Sequence, residues 1–401
     1  MPNRPRWKAI LPLSLLLFTS ATLGVTGGDK VRGYIAFTQH KFEEAHALYK
    51  GAGDESGQGM VRLAQNKPDE ALKHFERVND QSGQGLARLK KKEYKRAIQH
   101  FLLKQDQRGL GLTYLSLRDE QKAKAAFSKA NDWSGLGLLY LAKNQYKKAE
   151  DCFTKVKDNS GLGLTALKEK RYSDAEKLFT EAKDDTGLGL LHLSKRDYEK
   201  ASVYFKKAND LEGQGYVALG RGNFKEAEKL FTEANDKNGL GDLYSQLHQF
   251  DKARKAFEED NNPVKVIQSF RNDYSLEDKY QKALAYGQAA IKKDILVPEC
   301  LMELADIHYE MKNPQEGLAL LDKAATYPGY SSEAHLRKGR IYFYLRDLDK
   351  AKTEFLQVKP DDFIGVERYN EAQVSLKTVE TYQNIFKGKG KEELPPPAAS
   401  Y

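Results

Sequence analysis

The chain is 401 residues long, 40% hydrophobic and 30% charged, and its net charge of +8 comes from 65 Lys and Arg set against 57 Asp and Glu. The basic residues are scattered among acids with no run of five, which describes a solvated surface and argues against a segregated nucleic-acid stripe. Two cysteines, Cys152 and Cys300, make neither a metal pattern nor a disulfide framework; two buried thiols are expected, with a single long-range bridge as the alternative.

In chain order, the first element is an apolar run. Arg4, Arg6 and Lys8 precede "AILPLSLLLF", Ala9 to Phe18, and the small and polar stretch "TSATLGVTGG" follows. Basic, then apolar, then small is the shape of a secretory signal peptide. Residues 1–28 are therefore expected to be either a signal peptide cut near Ala21 or Gly24, or an uncleaved N-terminal membrane anchor whose basic flank stays cytoplasmic. Either way the rest of the chain is expected in a periplasmic or other extracytoplasmic space. No cysteine follows the run, which argues against a lipoprotein anchor, and no second apolar stretch is long enough to span.

From there to residue 260 the chain repeats itself every 26 residues. Glycines stand at 57, 83, 109, 135, 161, 187, 213 and 239, and each is followed two residues later by a second glycine. Fourteen residues after the first Gly comes an Ala (Ala71, Ala97 and so on to Ala253), and four after that a Phe (Phe75 to Phe257). A degenerate earlier copy holds Gly33, Phe42, Ala45 and Tyr49, making nine units. Self-similarity of this kind marks a repeat architecture.

Each unit reads as two short helices. Helix A carries the Gly doublet and starts behind an Asp, such as Asp54, Asp80 or Asp184, whose carboxylate can cap orphan N–H groups. A polar break such as "KNQ" (Lys143 to Gln145) follows. Helix B then places an aromatic, the Ala and the Phe at i, i+3 and i+7 on one face. No window alternates with period two, so no sheet is expected. Helices this short are marginal alone, and stacking on neighbours must stabilise them.

After residue 260 the spacing lengthens. Ala305, His308, Gly317, Leu321 and Ala324 are echoed 34 residues later by Gly339, Tyr342, Ala351, Phe355 and Val358. A small residue, an aromatic three later, a small residue nine after that and an apolar residue four later is a pattern that resembles the tetratricopeptide repeat. Residues 300–360 resemble two ordinary 34-residue copies, and the 26-residue units resemble the same motif shortened, because Gly to Ala is twelve and Ala to Phe is four in both. The resemblance implies an all-α, right-handed α-solenoid of stacked helix-turn-helix units. The missing eight residues must come from helix ends and connections. The remaining elements are an irregular repeat plus ordinary repeats over 261–360, a capping helix over 361–387 and a disordered Pro-rich tail over 388–401. Phe363, Val366, Tyr369 and Val374 are expected to cover the last repeat.

Little in this pattern points to chemistry. A dinucleotide loop needs a preceding strand and a third Gly, and both are missing. His74, His100 and Cys152 share the column before the Phe, where other units hold Leu, Ala or Tyr, so packing is expected there and not a metal. Doubled acids such as Asp184 and Asp185 fall at helix starts and read as caps. No catalytic residue, cofactor or metal ligand is expected. In the family that the pattern resembles, helix A lines the concave face. Its varied residues there, Arg62, Arg88, Tyr114, Tyr140, His192 and Tyr244, are the candidate partner-binding set. Asn79, Asn131, Asn209 and Asn235 recur four residues before the first Gly, either as a peptide-binding ladder or, as preferred, as turn formers.

The expected function is that of an exported protein–protein interaction scaffold in a bacterial envelope complex for motility, secretion or cell-wall work, with self-association also open. Two alternatives stand beside it: a periplasmic adaptor that binds a peptide or polysaccharide to regulate a partner enzyme, and a cytosolic co-chaperone-type adaptor.

Overall fold

A computed structural model describes residues 28–360 and 362–386. The expected leader and tail lie outside the described residues. The described chain holds 25 helices and no strand, as the all-α reading requires. Among the described residues, no helix is long and apolar enough to cross a membrane.

Each 26-residue unit is a helix pair. Helix A of the fourth unit spans Gln107–Ser116, and in the sixth the pair is Asn159–Lys168 and Tyr172–Ala182. The Asp before each helix A caps it as expected: the carboxylates of Asp54, Asp80, Asp106, Asp158, Asp184, Asp210 and Asp236 accept the N–H of the first Gly at 2.7–2.9 Å. The same Asp closes the helix behind it. Its own N–H donates to the carbonyl of the preceding Phe, as from Asp80 to Phe75 (2.8 Å) and from Asp184 to Phe179 (2.9 Å). This is a Schellman closure, which places the intervening residue in the left-handed region. Asn79, Asn131, Asn209 and Asn235 occupy that place, with φ of 53, 52, 51 and 50°. The Asn ladder is a column of turn residues, the reading preferred from sequence.

A second left-handed column sits between helix A and helix B, at His40, Asn66, Lys92, Arg118, Asn144, Lys170, Arg196, Gly222 and His248. Two Schellman turns per unit let each helix stop after about ten residues.

The Gly doublet answers to the Phe. A Cβ on Gly163 would stand 2.7 Å from the Phe179 ring, and one on Gly187 of the next unit 2.4 Å from the same ring. Phe205 lies likewise between Gly189 and Gly213, and Phe75 between Gly59 and Gly83. Each ring is 0% exposed and lies between two glycine faces, one from its own unit and one from the next. Real Cβ atoms do not approach so closely, so the doublet is required by packing. The conserved-register Ala residues from Ala45 to Ala253 are all 0% exposed beside it.

The longer repeats show where eight residues go. Their helices A, Val297–Glu310 and Ser331–Tyr344, have 14 residues against ten in most short units. Helix B Pro314–Ala325 has 12 against ten or eleven, and the linker before the next helix A is longer by two. The three-residue break between A and B is unchanged.

The last helix, Val366–Ile385, caps the array with a different face from the one expected. Ala372 and Val379 are buried, with Tyr369 and Leu376 packed beside them, whereas Val366 is 42% and Val374 67% exposed. The covering stripe runs at i, i+3, i+7 and i+10 from Tyr369, and Val374 falls off it. Both cysteines are free and buried.

The chain packs as two compact units. Among the described residues, one takes 28–113, 126–134 and 150–243; the other takes 114–125, 135–149 and those from Tyr244 to Phe386.

Candidate interaction surface

The six candidate residues share one place in the unit, five residues after the first Gly, near the end of helix A. Their side chains run across to helix B or to the turn of the same repeat. In the first unit, Arg62 pairs with Glu70 at 3.3 Å, and Arg88 with Glu93 at 2.7 Å. Burial pushes the Glu93 carboxyl up, but Arg88 and Lys91 outweigh it and hold the group below its ordinary value. His192 is 1% exposed, stacked 5.4 Å from the Tyr204 ring, with Nδ1 3.2 Å from the Asp197 carboxylate. It offers no surface to a partner and belongs to the packing.

In the second unit the same column carries three tyrosines, each under a lysine eight residues on. Lys122 stands 5.5 Å from the Tyr114 ring, Lys148 5.6 Å from Tyr140 and Lys252 5.3 Å from Tyr244. Tyr342 with Lys350, at 5.3 Å, completes the set. Tyr342 was missing from the candidates, and its signal was in plain view, three residues after Gly339. The tyrosines are half-buried under exposed lysines, and such amphipathic rings supply contact area at low entropic cost.

Two other helix A columns were not singled out from sequence. The residue before the first Gly reaches the capping Asp of the next repeat: Ser56 Oγ donates to Asp80 (2.9 Å), Arg108 to Asp132 (2.7 Å) and Ser134 to Asp158 (3.3 Å). One carboxylate thus caps its own helix and ties down the previous one. In five repeats of the first unit the residue after the second Gly is apolar or aromatic and half-buried: Met60, Leu86, Leu164, Leu190 and Tyr216.

At that register the ordinary repeats carry Asp306 and Arg340, and a charged network surrounds Asp306. Arg337 bonds Asp306 (2.6 Å), Glu333 (3.0 Å) and the Met302 carbonyl (3.1 Å), and pairs with Glu303 at 3.4 Å. Arg271 reaches Glu303, Asp306 and Glu310, and Arg368 reaches Glu333 and Glu371. Burial pushes the Glu333 carboxyl up, yet Arg337 and Arg368 pull it down to about 2. Among the described residues, no group of three or more His, Cys, Asp or Glu is placed to hold a metal ion.

A family model for the tetratricopeptide repeat matches residues 109–135, 133–160, 186–214 and 332–359. No curated protein is similar enough to the sequence to count as a relative. Among solved structures, the chain is similar to yeast Tom70 at 14% identity, covering 90% of this chain and 96% of that one with a TM-score of 0.48. It is also similar to the APC/C hetero-tetramer Cut9–Hcn1 (11% identity, 91% and 99% covered, TM-score 0.31) and to the P58(IPK) TPR domain (16%, 87% and 98%, 0.22). The matched segments span both repeat lengths, and the Gly, Ala and Phe columns within them recur through the array, so the chain is similar to the tetratricopeptide repeat over these segments.

Proposed function

We propose that this chain is exported and acts as a scaffold that assembles or stabilises an envelope complex by binding other proteins. Repeats of this superfamily are in general non-catalytic interaction scaffolds, and stacked helix pairs present a long surface rather than a pocket. The observation that carries export is the N-terminal pattern: Arg4, Arg6 and Lys8, then the apolar run to Phe18, then small residues. The Tyr–Lys column of the second unit and the apolar helix A column of the first supply the amphipathic contacts that protein partners use. Mass spectrometry of the mature N-terminus, with fractionation of the native cells, tests the reading. A chain recovered outside the cytoplasm, cut near Ala21 or Gly24 or retained in the membrane fraction, is the expected result. An intact N-terminus in the soluble cytoplasmic fraction would favour the co-chaperone-type adaptor. Mild crosslinking of a tagged chain should recover a stable protein partner, and monomer alone would count against the scaffold.

A further inference from the structure

We propose that the first unit holds its coil of repeats shut with a side-chain clasp centred on Asn66 and Asn235. The Asn66 amide donates to the Glu212 carboxylate and to the Ala234 carbonyl (3.3 Å), and the Asn235 amide donates back to the Asn66 carbonyl at 2.6 Å. Asn66 and Asn235 are 169 residues apart, six and a half repeats of 26. Nearest-neighbour stacking joins positions about 26 residues apart and sets the curvature, whereas these bonds join two distant turns directly. The bonds therefore report a second kind of contact, between distant turns of the first unit.

The position of the clasp follows a rule. Asn66 lies in the left-handed column between helix A and helix B, and Asn235 in the left-handed column between units. His40, one repeat earlier in the first of those columns, feels the carboxylate of Asp184, which stands beside the second column, although burial is the larger influence on its imidazole. The second unit repeats the device by itself. Arg118, again in the A–B column, donates to the carbonyls of Gly329 and Phe363 at 3.4 Å and lies 4.4 Å over the Tyr330 ring. A left-handed residue ends a helix and carries its side chain on an outlying turn. At Asn66 and Arg118 that side chain reaches a distant turn.

Few polar bonds hold the clasp, while many buried rings hold the stack, so the coil can open without the repeats unfolding. A closed coil fixes the spacing of helix A side chains before a partner arrives, which lowers the ordering cost of binding. The inference concerns the chain alone and stands whether or not the chain is exported.

Spin labels on Asp69→Cys and Glu233→Cys, both exposed, read the closure as a distance distribution in the full chain. The native thiols are buried and pushed up in pKa, that of Cys300 to about 12, and leave the labels to the introduced sites. Asn66→Gly with Asn235→Gly removes both amides and keeps the left-handed backbone that Gly adopts freely. The expected result is a narrow distribution in the labelled parent that moves outward and at least doubles in width in the double variant, with helix content by circular dichroism unchanged. A distribution that does not change, or one already broad in the parent, would overturn the clasp. Arg118→Gly with labels on Gln121→Cys and Lys359→Cys asks the same question of the second unit, with the same pair of outcomes.

Discussion

Besides their length, the short repeats and the ordinary ones differ at one packing column, and the difference there is an exchange of volume. Two residues before the second small residue of helix A, eight of the nine short units have a glycine, such as Gly187; the ordinary repeats have Glu303 and Arg337. That column faces the ring position of the preceding repeat. In the short array the ring position holds Phe, and the helix A column is empty to receive it. Ahead of Glu303 the ring position is Gly287, and ahead of Arg337 it is Leu321. Where the large ring is absent the column is charged, and the space before Gly287 is taken by Leu304. The short array is therefore held by buried rings between glycines. The ordinary repeats are held by an ion network that runs through Arg271, Glu303, Asp306, Arg337, Glu333 and Arg368.

The comparison breaks if the two regions respond alike to loss of their own device. Phe179→Ala empties a fully buried site and should cost about 3–5 kcal/mol, read by chemical denaturation. Arg337→Ala should cost a similar ~3–5 kcal/mol, because it removes the central cation from buried Glu333, Glu303 and Asp306 and leaves only Arg368 and Arg271 at the edges. Hydrogen exchange separates the two: Phe179→Ala should expose amides around 159–194, and Arg337→Ala those of 297–344. Loss of protection across the whole chain in both variants would mean one cooperative body and no regional division of labour.

Acid provides a second separation. The Glu333 carboxyl sits at about 2 in the folded chain against an ordinary 4.5. A lowered acid stabilises the fold fully above the higher value and loses that contribution as pH falls toward the lower one, here between about 4.5 and 2, at roughly 3 kcal/mol in total. The ordinary repeats should therefore lose exchange protection over this window, and Glu333→Gln should flatten the dependence while lowering stability at neutral pH. An unchanged slope in the variant would remove Glu333 as its source.

Much of this was legible beforehand. The Gly, Ala and Phe columns show at a glance because packing fixes both residue type and interval, and the capping Asp shows because only a short acceptor side chain suits the place. The A–B turn column did not show. It demands a left-handed backbone but no particular side chain, so His40, Asn66, Lys92 and Arg118 share no chemistry in sequence. Asn and Gly take that conformation most readily, and the stacked helices on either side impose it on the rest. The ion network was hidden for another reason. Its members lie on four helices, and in a chain that is 30% charged no spacing singles them out. The six candidate residues were found as a column, but their direction depends on helix rotation. Contacts with Glu70, Lys122, Lys148, Tyr204 and Lys252 show it turned toward helix B.

The exchange of volume can itself be measured. Gly187→Ala puts a Cβ 2.4 Å from the ring carbons of Phe179. That ring is fully buried and cannot swing away, so overpacking should cost about 1–3 kcal/mol. Gly51, where a Cβ would meet nothing within 4 Å, is the control: Gly51→Ala should be neutral or stabilising by up to about 1 kcal/mol. In a Phe179→Leu background, which imitates the Leu321 and Arg337 pairing, the cost of Gly187→Ala should shrink, giving a coupling of about 1 kcal/mol in a double-mutant cycle. Equal costs in the two backgrounds would mean that ring and glycine do not compete for one space. The doublet would then answer to backbone approach between helices. The ordinary repeats already show that arrangement at Gly317, where a Cβ would meet the Ala305 carbonyl oxygen at 2.8 Å.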